Sequence, residues 1–184
     1  MSSRLPATRE RIELFLQALG DRFRKPGRVY LVGGTTIVME GLKKQSTDVD
    51  LTYQIDANDH DAFLKAIREL KDQLSINIEE ASPADFIPLP KGAFDRAIYV
   101  GRFGQLDVFH FDLYSVALGK IGRGSEEDFN DVLALVKAKR IDLSTLEKYF
   151  DEIRPRLASA SLRQDPIEFE NNMNHTRQLL REKN

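Results

Sequence analysis

One stretch constrains the fold more than any other: Val29 to Tyr53, VYLVGGTTIVMEGLKKQSTDVDLTY. A short apolar strand runs into paired glycines, a short helix follows, and the segment ends in two aspartates, Asp48 and Asp50, that alternate with Val49 and Leu51. In an extended strand alternate side chains share a face, so both carboxylates project one way while the valine and leucine enter a core. Held roughly 7 Å apart along the strand, two like charges repel and lose hydration unless a cation neutralises them. Oxygen-only ligands suit Mg2+ or Mn2+, and Mg2+ ordinarily completes its octahedron with water and substrate phosphates. The segment therefore reads as a metal-dependent phosphate site.

Gly33 and Gly34 remove side chains where backbone must approach a ligand, and they permit a positive φ. The amides opening the next helix present donors and a partial positive charge to a phosphate, with the hydroxyl of Thr35 or Thr36 beside them. A third carboxylate ordinarily completes such a site, as a further ligand or as the base that takes a proton from an attacking hydroxyl.

Periodicity places this motif in an α/β frame. Ile12, Phe15, Leu16, Leu19 and Phe23 share a helical face behind Thr8 as a cap. Strands are expected over 28–32 and 49–53, and a helix from Asp56 carries Phe63, Ala66, Ile67, Leu70 and Leu74 on one face. A third strand is expected over 76–79, and 96–101 with 105–111 form a strand pair joined at Phe103-Gly104. From Leu113 the pattern turns helical: Ser125 with Asp128, and Ser144 with Glu147, have the spacing of capping boxes. Asp165-Pro166 opens a last helix whose weak apolar stripe suits loose packing or a partner. The expected fold class is α/β (α+β): a small mixed sheet with flanking helices over residues 1–112, then a helical C-terminal region over 113–184 packed on that core.

Composition narrows the chemistry. Cysteine is absent, which removes disulfides, thiolate metal sites and cysteine nucleophiles, and the three histidines, His60, His110 and His175, are too scattered for a zinc cluster. A formal net charge of −2 confines any nucleic-acid binding to a local basic patch such as Arg22, Arg24, Lys25 and Arg28 with Lys43 and Lys44. The plain alternative for those residues is a solvated surface. No apolar run approaches the roughly 20 residues needed to span a bilayer. The N-terminal MSSRLPATRERIE has no apolar signal core, so the expected location is the cytoplasm with no membrane partner.

A strand ending in paired glycines, a short helix and a strand opening with D-x-D resembles the nucleotidyltransferase fold of the DNA polymerase beta superfamily. Downstream, DLYSVALGKIGRGSEEDFNDV, with Lys120, Arg123, Asp128 and Asp131, is similar to a block found in small bacterial nucleotidyltransferase-like proteins, including the AbiEii-type toxins and a related family of unknown function. Carried onto this chain, the resemblance makes Gly33, Gly34 and Thr35 the phosphate loop and Asp48 and Asp50 the metal ligands. It sets Lys120 against the triphosphate, with Arg123 and Asp128 on the same nucleotide-binding shelf. Asp107 is the first choice for the third carboxylate, as ligand and catalytic group, because the strand LDVFHFD is expected to neighbour that of Asp50. Asp112 is its rival, although it also suits a helix cap.

Simpler readings stand beside these. Asp128 is explained by capping and helix-dipole stabilisation, Lys120 by a snorkelling stem beside Ala117, Leu118 and Ile121, His110 as a packed strand residue and Tyr53 as a core-edge tyrosine. Three functions compete. The leading one is a Mg2+- or Mn2+-dependent enzyme that moves NMP from an NTP to a hydroxyl on RNA, tRNA foremost, or on another protein or a small molecule, with RNA the acceptor that the toxin resemblance implies. A second is a catalytically degenerate relative that binds nucleotide or a partner such as an antitoxin. A third is a DxD phosphatase, disfavoured because KKQST precedes Asp48 where a fully apolar strand is required and Leu51-Thr52 follows Asp50 where a glycine-threonine turn is required.

Overall fold

The computed structural model describes residues 4–158 and 164–182. Among these the chain forms seven α-helices, a five-stranded mixed sheet and a two-stranded sheet, arranged as two compact units. The first comprises residues up to Ala81 together with Ala97–Phe111, and the second Ser82–Arg96 with Asp112 onward. The segment 82–96 thus belongs with the helices that follow it in sequence. Among the described residues no helix is long and apolar enough to cross a membrane.

In the first unit the order is β1 (Ala7–Thr8), α1 (Arg9–Arg22), β2 (Gly27–Leu31), α2 (Gly33–Met39), β3 (Gln45–Ser46), β4 (Asp48–Ile55), α3 (His60–Gln73), β5 (Asn77–Glu80), β6 (Ile98–Phe103) and β7 (Leu106–His110). Thr8 caps α1 by accepting from the Arg11 amide, satisfying one of the orphan donors of the first turn. The two-residue pairing of β1 with β3 has no sequence signal, being too short to show a period. The main sheet runs β5-β4-β2-β7-β6. The β2–β4 and β6–β7 pairs are antiparallel, and β2–β7 and β4–β5 are parallel.

One face of this sheet is apolar and carries Val29, Leu31, Val49, Leu51 and Val108, which share a single buried cluster with Ile12, Phe15, Leu16 and Leu19 of α1 and Phe63, Ala66 and Leu70 of α3. Alternation then sends Asp48, Asp50, Thr52 and Gln54 of β4 to the opposite face. Tyr53 is on the core face, 4.6 Å from Phe63 between ring centroids, and its hydroxyl donates to Glu80 at 3.0 Å. Burial, followed by that hydrogen bond and the charge of Glu80, pushes the phenol up to about 12.

The second unit contains α4 (Leu113–Arg123), α5 (Glu126–Lys137), α6 (Leu143–Ile153) and α7 (Pro166–Glu182), with short 3-10 turns at Pro83–Asp85, Phe94–Arg96 and Arg154–Arg156. Asp112 caps α4 through the Tyr114 and Ser115 amides and receives the Arg96 guanidinium on both oxygens at 3.0 and 2.8 Å. Ser125 and Asp128 form the expected capping box of α5. The cap of α6 is Asp142, accepting from the Thr145 amide, and not the expected Ser144. An aspartate two residues earlier starts the helix sooner and brings a full negative charge to its first-turn amides. Helix α7 does not pack loosely: Phe169, Met173, Thr176 and Leu180 are buried, and Phe169 lies 5.0 Å from Phe150.

Candidate metal and phosphate site

Strand β4 presents Asp48 and Asp50 at its start, and the parallel strand β5 sets Asn77 level with Asp48 and Glu79 level with Asp50. Ile78 points to the core, so Asn77 and Glu79 share the face of the two aspartates. Carboxylate oxygens of Asp48, Asp50 and Glu79 all lie within 4.8 Å of one another, and this is the one group of three or more potential ligands among the described residues. The aspartates are half-buried and the glutamate is exposed. The Asn77 amide nitrogen donates to Asp48 Oδ1 and, at 2.9 Å, to Glu79 Oε1. An all-oxygen, all-anionic donor set matches a hard divalent cation.

Glu79 is not among the expected ligands, and Asp107, expected as the third carboxylate, lies apart from the trio in the register. Strand β7 neighbours β2 and not β4, and Asp107 is level with Arg28, which is in turn level with Gln54. Four residues, about 13 Å along a strand, separate Gln54 from Asp50. Asp112 is also accounted for elsewhere, buried as the cap of α4 and the partner of Arg96. The signal that points to Glu79 is the expected strand over 76–79, which is the next strand after Asp50 along the chain.

The glycine turn is built against the same carboxylates. Gly33 has φ +56, and a β-carbon there would sit 2.5 Å from Asp50 Oδ2. At Gly34 a β-carbon would run into the hydroxyl of Ser46. Both positions exclude side chains because the turn is pressed onto β4 and its approach. Thr35 has a different task from the expected one: its buried hydroxyl accepts from the Asp50 amide at 2.7 Å and faces the Asp48 carbonyl at 3.4 Å, clamping α2 to the strand between the two aspartates. Thr36 donates to the Leu31 carbonyl at 2.8 Å. Buried His110 reaches Thr36 Oγ1 at 3.3 Å and Glu40 at 3.2 Å, a packed strand histidine as expected.

Lys120, Arg123 and Asp128 come together with Asp131 inside the second unit. Lys120, only 4% exposed, contacts Asp131 at 2.7 Å and Asp128 at 3.4 Å. Arg123 grips both oxygens of Asp128, and Ser125 Oγ donates to the same carboxylate at 2.7 Å. Burial alone would raise the Asp128 pKa, but the hydrogen bonds from Arg123 and Ser125 and the Lys120 charge outweigh it and hold the carboxyl below its ordinary value. No buried side-chain nitrogen or oxygen among the described residues lacks a hydrogen-bond partner. The lysine is therefore not snorkelling. In the first unit, Arg22 is tied to Glu69 and Gln73 at 3.1 and 2.7 Å, which takes one cation out of the expected basic patch.

No curated protein and no solved structure matches the chain at a significant level. A family model does, over residues 4–178, and with the glycine turn and acidic cluster it covers, the chain belongs to the DUF6036 family, described as nucleotidyltransferases of unknown function.

Proposed function

We propose that the protein is a divalent-metal-dependent nucleotidyltransferase that transfers NMP from an NTP to a hydroxyl acceptor. The observation that carries this is the convergence of Asp48, Asp50 and Glu79 beside a glycine turn with no room for side chains. Asp48, Asp50 and Glu79 would hold Mg2+ or Mn2+, the oxygen-ligated ions that keep coordination positions for phosphate. When bound, such an ion neutralises the charge developing on the transferring phosphoryl group and orients it. Gly33 and Gly34 let the triphosphate lie against the backbone, and the first-turn amides of α2, which lack intrahelical partners, face it. The acceptor oxygen forms its bond to the α-phosphorus as the bond to pyrophosphate breaks. The acceptor's proton passes to a carboxylate, with Glu79, the most exposed of the three, in that role.

An RNA acceptor, tRNA among them, and an antitoxin partner rest on the resemblance of the Lys120 block to AbiEii-type toxins. The role expected of Lys120 against the triphosphate rests there too, whereas its contacts with Asp128 and Asp131 support a structural one. The test is incubation of purified protein with Mg2+, each α-labelled NTP and bulk tRNA. Label transferred by the wild type and lost in Asp48→Ala supports the proposal. Transfer that is absent, or unchanged by the substitution, contradicts it.

A second reading, a non-catalytic nucleotide- or partner-binding relative, is favoured by Asn77. Its amide occupies one oxygen each of Asp48 and Glu79. Metal-dependent NTP binding without turnover, with turnover still absent in Asn77→Ala, is the outcome that separates it from the first.

A further inference from the structure

The sheet face that bears Asp48 and Asp50 continues sideways into a row of aromatic rings. Thr52 of β4, Tyr30 of β2, Phe109 of β7 and Tyr99 of β6 are in register across four strands. Tyr30 and Phe109 are stacked, with centroids 5.5 Å apart and planes at 26°, and Tyr99 meets Phe109 edge-on at 5.4 Å. Tyr30 is buried and fixed by its hydroxyl bond to Gln54 at 3.1 Å. Tyr99 is 56% exposed on the edge strand of the sheet. Two rings therefore anchor a third that is offered to solvent, and an exposed ring on an edge strand is a liability unless something covers it.

The next row along the same face is Gln54, Arg28, Asp107 and Arg102, again in register. Arg28 and Arg102 are exposed and Asp107 is half-buried between them, so the row carries one net positive charge. The face thus runs from carboxylates through aromatic rings to arginines. Rings that stack bases, with cations within reach of the backbone, are the elements by which proteins hold unpaired nucleic acid.

We propose that Tyr99, backed by Phe109, with Arg102 on its own strand and Arg28 in the next row two strands away, is the docking shelf for an unpaired segment of an RNA acceptor. The shelf deepens the transferase reading and rests on it for the identity of the acceptor. Three inter-strand spacings, about 14 Å, separate Tyr99 from the strand of Asp50. A base on Tyr99 is accordingly not the one that reacts but one a few nucleotides away from it. Asp107, between the two arginines in the row, limits the positive charge of the shelf and with it non-specific attraction to duplexes.

The test is a fluorescence-anisotropy titration of the intact protein with a labelled single-stranded oligoribonucleotide, without NTP, followed by the label-transfer assay on the same variants. Tyr99→Ala weakens oligonucleotide binding about ten-fold, as expected for one lost stacking partner, and Tyr99→Trp restores it. Arg102→Ala lowers the salt slope by about 0.7, the value for one contact to a single strand. Unchanged binding by Tyr99→Ala overturns the shelf, as does equal affinity for a duplex of the same sequence or tighter binding of the matching oligodeoxynucleotide. Loss of a co-purified protein partner in Tyr99→Ala, with RNA affinity unchanged, overturns it in favour of a protein-docking edge. Tyr99-dependent RNA binding without any transfer leaves the shelf standing and removes the transferase reading. Asp48-dependent transfer to RNA that is indifferent to Tyr99→Ala does the reverse.

Discussion

Two clusters of charged side chains look alike in sequence and differ in kind in the structure. Asp48, Asp50 and Glu79 are three carboxylates, half-buried to exposed, with one asparagine amide between them. Lys120, Arg123, Asp128 and Asp131 are two cations and two anions, with Lys120 and both aspartates buried. The first gathers three carboxylates at a half-buried to exposed position, where a hydrated divalent cation can reach them. The second is compensated and closed: its energy goes into holding α4 to α5, since a buried charge is tolerated only with its partners in place. Burial, more than residue type, distinguishes the two clusters.

The largest effect that would sharpen this contrast is on turnover. Asp50→Ala should cost several kcal/mol of transition-state stabilisation, on the order of a thousand-fold in kcat/KM, with a smaller change in thermal stability than in turnover. A comparable loss of thermal stability would mean that the open cluster is structural after all. For the closed cluster the expectation is opposite. Lys120→Met removes the buried ammonium that contacts Asp128 and Asp131 and should destabilise the fold by about 3–5 kcal/mol, read from the denaturant midpoint, with NTP affinity of the folded protein preserved. Lys120→Met that folds normally and loses NTP binding would break the contrast.

A smaller effect is expected at Gly33. Gly33→Ala places a β-carbon at positive φ and against Asp50, costing about 1–2 kcal/mol in backbone strain. By pushing the carboxylate aside it should also weaken divalent-metal affinity, so calorimetric titration with Mn2+ and a melting curve are expected to shift together. The smallest expected effect is at acid pH. Because the folded-state pKa of Asp128 is lowered, its stabilisation is complete above the unfolded carboxylate value of about 3.9 and is lost as pH falls through the lower folded value. Asp128→Asn should therefore be less stable near neutrality and show a flatter stability profile below about pH 4.

The strand, glycine turn, helix and aspartate pair were legible because each is local. Alternation over Asp48–Leu51 assigns the faces of β4 without knowledge of any other strand, and Ser125 with Asp128 marks the start of α5 within four residues. Glu79 was not legible as the third carboxylate, although its strand was. Which strand lies beside β4 depends on the sheet order, and strands 76–79 and 105–111 both carry an acid on an alternating pattern. Thr35 illustrates the same limit at shorter range. Its hydroxyl sits where a phosphate ligand is expected, but the return of β4 beside β2 brings the Asp50 amide to it first. The mutual pairing within the Lys120 block has a third reason for being hidden. An i to i+8 or i+11 pairing across a helical hairpin leaves no mark in either helix's own periodicity.

The most direct measurement of the central claim is Mn2+ binding followed by electron paramagnetic resonance in the wild type, Glu79→Gln and Asp107→Asn. An acidic trio on β4 and β5 that holds the ion predicts affinity weakened about ten-fold or more in Glu79→Gln, as for removal of a ligand's support, and unchanged in Asp107→Asn. Wild-type affinity in Glu79→Gln, or a loss confined to Asp107→Asn, would contradict it.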